Sequence, residues 1–164
     1  MNNPPRFDVL ARLRPRDRFD YPAFFAAAQR QGYPDVAPLE LDLTARAAYD
    51  VALKVVTRRR WLIVDARPPA GTRAGVIEAV ARTTIMGFRD DVVVRVTGLR
   101  DGSSRVDVRS ASRYGSTDFG ANARRVTALL ADIDDEAGNV PDSARSDEPP
   151  QPKAAPQRRQ APKR

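Results

Sequence analysis

The hydrophobic positions of this chain change period twice. Ala48, Val51, Ala52, Val55 and Val56 recur at helical spacing and mark one apolar face. Thr44 stands before that face as an N-cap. Arg58, Arg59 and Arg60 follow it, where the negative end of the helix dipole favours cations. The period then drops to two. Four β-branched segments, 61–66, 76–84, 91–99 and 105–111, predict strands. Pro68-Pro69-Ala70-Gly71 ends the first, and Arg100-Asp101-Gly102-Ser103 joins the last two. Helical spacing returns over 117–133, with Phe119, Ala123, Val126, Leu129, Leu130 and Ile133 as the buried stripe. Ser116 or Thr117 would cap this helix, and Asp118 suits its positive first turn.

The last hairpin can be registered from parity alone. Val92, Val94 and Val96 share one face of the third strand, and Val106 and Val108 one face of the fourth. Facing residues must therefore have numbers of even sum. A two-residue loop would oppose Val96 to Asp107. A three-residue loop, Arg100-Asp101-Gly102 with Gly102 left-handed, restores parity. It sets Arg95 opposite Asp107, Val93 opposite Arg109 and Asp91 opposite Ala111.

These elements predict an α+β domain: an antiparallel four-stranded β-meander flanked by an N-terminal and a C-terminal helix, both on the even-numbered valine face. Residues 42–138 form this core. Residues 1–41 read as an irregular arm rich in proline and aromatics, pinned to the domain by Phe7, Phe19, Phe24, Phe25 and Tyr33. Pro22 could open a short helix there, whereas Tyr33-Pro34 and Ala37-Pro38 force extended or turn backbone. Residues 139–164 read as a disordered, basic, proline-rich tail. No internal repeat is visible.

Composition changes the picture mainly by exclusion. The 164 residues include no histidine and no cysteine. Disulfides, thiolate nucleophiles, Ser-His-Asp triads and Cys/His metal or haem sites are thereby ruled out. The net charge of +7 suggests a nucleic-acid binder, but residues 151–164 hold five positive charges and no acid, leaving +2 for the rest. No aromatic residue lies in the tail, so it offers bases no stacking partner, and a solvated linker is the favoured reading over nucleic-acid or membrane-surface binding. No apolar run approaches the ~18–20 residues of a membrane span, and Met1-Asn2-Asn3-Pro4-Pro5 has no signal-peptide core.

The candidate chemistry sits between the fourth strand and the last helix. Arg109, Ser110, Ser112, Arg113, Ser116, Asn122 and Arg125 gather donors where helix N–H groups would point. They could hold an anion such as phosphate or carboxylate. The competing reading is an internal network in which Asp90, Asp91 and Asp118 neutralise the arginines, alongside the Arg95–Asp107 pair. The same three aspartates could bind Mg²⁺ or Ca²⁺, or one of them could serve as the general acid or base of a hydrolase or transferase, but the neighbouring arginines favour neutralisation by protein, and no nucleophile accompanies them. No cofactor is indicated.

Two segments also resemble a known family, the domain of unknown function 1499: Gly87-Phe88-Arg89-Asp90-Asp91-Val92-Val93-Val94-Arg95-Val96, and the stretch 109–125. The matching positions include Thr83, Gly87, Asp90, Asp91, Arg95, Asp107, Arg109, Ser110, Ser112, Arg113, Gly115, Asp118, Gly120, Asn122 and Arg125. The resemblance covers about 4–133. It implies no established activity. Because members often carry membrane-spanning segments upstream, it implies a place at the cell envelope. The resulting expectation is a non-catalytic envelope domain that binds an anionic small molecule, a lipid headgroup or an envelope protein partner.

Overall fold

A computed structural model describes residues 4–14, 31–32, 36–82, 87, 89–113 and 120–141. The elements are α1 (Val9–Leu13), β1 (Leu39–Leu41), α2 (Ala45–Arg58), β2 (Leu62–Arg67), β3 (Gly75–Arg82), β4 (Arg89–Gly98), β5 (Ser104–Ser112) and α3 (Ala121–Gly138). The sheet is antiparallel, with strand order β1-β5-β4-β3-β2. It has five strands rather than the four predicted. The additional edge strand, β1, pairs Leu39 with Val106 and Leu41 with Ser104. β1 falls at the end of the stretch 1–41 that reads as irregular arm, and its alternation runs on through Asp42 to Leu43.

The β4–β5 register is the one parity demands. Asp91 faces Ala111, Val93 faces Arg109 and Arg95 faces Asp107. Gly102 has φ of 86°, as a left-handed loop residue should. Arg95 reaches Asp107 at 2.9 Å. Strand β4 begins two residues earlier than predicted, so Asp90 lies within it together with Asp91. Their side chains therefore emerge on opposite faces.

One face is the main core. Ile77, Ala79, Ala81, Val92, Val94, Val96, Val106 and Val108 meet Ala48, Ala52, Val55 and Val56 of α2 and Val126, Leu129 and Ile133 of α3. Thr44 caps α2 by accepting from the Ala47 amide at 3.2 Å. The arginine run that closes α2 also bridges to α3: Arg58 binds Glu136 at 2.7 Å and Arg59 binds Asp132 at 2.8 Å. Helix α3 starts at Ala121, after a left-handed Gly120, and not at Thr117. It continues five residues past Ile133, to Gly138.

The other face is covered by the N-terminal arm. Phe7 and Leu10 pack on Val80 and Val93. The arm is anchored by Glu78, which is fully buried and accepts from the Asp8, Val9 and Leu10 amides at 2.7, 3.0 and 2.8 Å. These are the orphan donors that open α1, so a carboxylate on β3 caps the helix from across the interface. The anchoring role expected of Phe7 is thus seen. Phe19, Phe24, Phe25 and Tyr33 lie outside the described residues, as do the tail from 142 onward and the proposed caps Ser116 and Thr117. No helix among the described residues is long and apolar enough to cross a membrane.

Candidate functional site

Alternation along β5 decides how the predicted site is divided. Ser110 and Ser112 project to the helix face, with the even-numbered valines; Arg109 and Arg113 project to the arm face. The sheet therefore separates residues that the sequence had grouped as one polar stretch. Ser116 and Asp118 fall outside the described residues.

On the helix face the groups close on themselves. Ser110 Oγ donates to Asn122 Oδ1 at 2.6 Å, and Asn122 Nδ2 donates to Ser112 Oγ at 2.8 Å. Arg125 donates to Ser110 Oγ at 3.0 Å and to Asn122 Oδ1 at 2.7 Å, and its other nitrogen pairs with Asp90. Asp90 is buried. Arg125 thus places a positive charge against a buried carboxylate, and the amide and hydroxyls bond to one another. This network fastens the start of α3 to β5.

On the arm face Asp91, 1% exposed, carries two guanidiniums. Arg113 grips one carboxylate oxygen, Nη2 at 2.7 Å and Nε at 2.8 Å; Arg14, just after α1, takes the other. Arg109 lies over the Phe7 ring, 5.0 Å from its centroid. Of the three aspartates that might have served as acid or base, Asp90 and Asp91 are each paired with arginine, and Asp118 lies outside the described residues.

A second group of cations, not singled out in the sequence, stands beside Asp91. Arg82 faces Arg89 directly across β3 and β4, and Arg113 follows in the same row, its amide donating to the Arg89 carbonyl at 3.4 Å. Like charges opposed across strands are destabilising unless something lies between them. Arg60 approaches from the end of α2 with φ of 55°, a left-handed conformation that costs a non-glycine residue about 1–2 kcal/mol. These four arginines and Arg14 border a cavity of about 410 Å³ whose floor and sides are Leu10, Leu13, Leu62, Val64 and Val80. Among the described residues, Arg60, Arg82 and Arg89 have no carboxylate partner, and Asp91 is shared by the other two. Period-two alternation over 80–84 and 87–91 could have found this row, because it places Arg82 and Arg89 on the face of Val80 and Asp91.

Among the described residues no three acidic side chains converge as a metal site would require. No curated protein matches the chain. The sequence profile of the DUF1499 family of proteins of unknown function matches residues 1–133, which covers every strand of the sheet and the first two helices, and the chain belongs to that family.

Proposed function

We propose that this protein is a non-catalytic binding domain for an anionic ligand, and that the ligand sits on the arm face against Arg82, Arg89 and Arg113. The observation that carries this reading is the arginine row across three strands, with Asp91 its one carboxylate neighbour among the described residues. A bound phosphate or carboxylate would accept charge-assisted hydrogen bonds from guanidiniums that otherwise repel one another. The cavity size of about 410 Å³ falls in the ~300–1,000 Å³ range of small-molecule sites. A place at the cell envelope is part of the same proposal and rests on the family resemblance.

Of the seven residues the sequence offered for the ligand, Arg113 borders this cavity. Ser110, Ser112, Asn122 and Arg125 instead hold α3 to the sheet. Calorimetric titration with inorganic phosphate at fixed ionic strength tests the reading, since a constant salt background separates site binding from screening. The expected result is saturable binding that Arg82→Ala and Arg89→Ala together remove. Undiminished binding in that double variant would place the anion elsewhere.

A further inference from the structure

The cavity beside the arginine row has more apolar wall than a simple anion needs. Leu10, Leu13, Leu62, Val64 and Val80 line it, and among the described residues no acidic side chain does. Leu13 is 65% exposed and Leu62 67% exposed, and these are the large hydrophobic side chains left open to solvent among the described residues. Both stand on this one cavity, Leu13 at the end of α1 and Leu62 at the start of the edge strand β2. A pocket for inorganic phosphate would be walled by polar groups. A pocket with a cationic end and an apolar floor complements a molecule with an anionic head and an apolar chain.

We infer that the ligand is a single-chain anionic amphiphile, an alkyl phosphate or fatty carboxylate bound as a monomer, an inference that rests on the anion site proposed above. Its head lies between Arg82, Arg89 and Arg113, and its chain runs over Leu10, Val80 and Val64 toward Leu13 and Leu62. Ligand burial removes the two exposed leucines from water together with the chain. The committed occupant follows from charge complementarity: five guanidiniums border the apolar floor.

The test is a titration series with inorganic phosphate and with butyl, hexyl and octyl phosphate, all below their aggregation concentrations. Octanoate runs beside octyl phosphate to tell a carboxylate head from a phosphate one. Affinity should rise about fourfold per added methylene, the increment expected for burying a CH₂ group. Leu13→Gln and Leu62→Gln, both at exposed positions, should flatten that rise while leaving inorganic phosphate binding unchanged. Arg82→Ala with Arg89→Ala should abolish binding of every member. Equal affinity for phosphate and octyl phosphate would overturn the amphiphile and leave the anion site standing. No binding of any member would overturn both. Binding to phosphatidylglycerol vesicles without binding of monomers would replace the pocket ligand with a membrane surface, and an unchanged rise in the leucine variants would place the chain outside this cavity.

Discussion

Glu78 shows how one side chain decides the covering of a whole sheet face. Its carboxylate is 0% exposed and accepts from three consecutive amides of the arm. Arg67 stands 3.9 Å from it and also holds Asp8 at 3.1 Å. Substitution by alanine would leave those amides without their acceptor, at about 1–3 kcal/mol for each group that stays buried. Glu78→Ala is expected to lower the free energy of urea unfolding by about 3 kcal/mol or more and to open residues 7–13 to proteolysis before the rest. Uniform protection of that segment in the variant would contradict the anchoring role. Gly75 makes a second prediction at this scale. A Cβ there would lie 2.7 Å from Tyr49 Cδ2 and 2.8 Å from Pro69 Cδ. Gly75→Ala should destabilise the fold by about 1–3 kcal/mol through overpacking, visible as a lower denaturant midpoint with an unchanged slope.

At the scale of elements, α2 and α3 are held together by more than their apolar stripes. Glu136 of α3 accepts from Lys54 at 2.5 Å and Arg58 at 2.7 Å, both on α2. Those hydrogen bonds, Lys54 first and Arg58 next, hold its carboxyl below the usual 4.5. A lowered folded value means the clamp is fully present above pH 4.5 and is lost as the pH falls through that lowered value. Unfolding of the wild type and of Glu136→Gln should therefore differ at pH 7 and draw together as the pH falls below 4.5 and through the lowered value; a difference that stays constant on acidification would exclude the clamp. The β4–β5 register was legible because valine parity, the loop glycine and the Arg95–Asp107 pair all agree. α1 was not, since five residues are too few to display a helical period, and its cap comes from a residue 68 to 70 positions away. β1 was missed although Leu39, Leu41 and Leu43 alternate, because only three residues pair. The polar stretch misled for a related reason: density along the chain drew attention, while alternation along β5 sends its odd and even members to opposite faces.

For the molecule as a whole, the two faces of the sheet have different jobs. On the helix face, Ser110, Asn122, Arg125 and Asp90 bond to one another. The arm face keeps a cavity bordered by five arginines. Charge rows of one sign are stored repulsion, so their removal should affect stability in the direction opposite to a core mutation. The most direct test is the thermal midpoint of the wild type and of the Arg82→Ala, Arg89→Ala double variant, each in chloride and in phosphate at equal ionic strength. The account predicts that phosphate raises the wild-type midpoint and not the variant's, by mass action on the folded state, and that in chloride the variant melts at or above the wild type. A variant that melts well below the wild type in chloride, with phosphate moving both midpoints equally or neither, would contradict an anion site on this face.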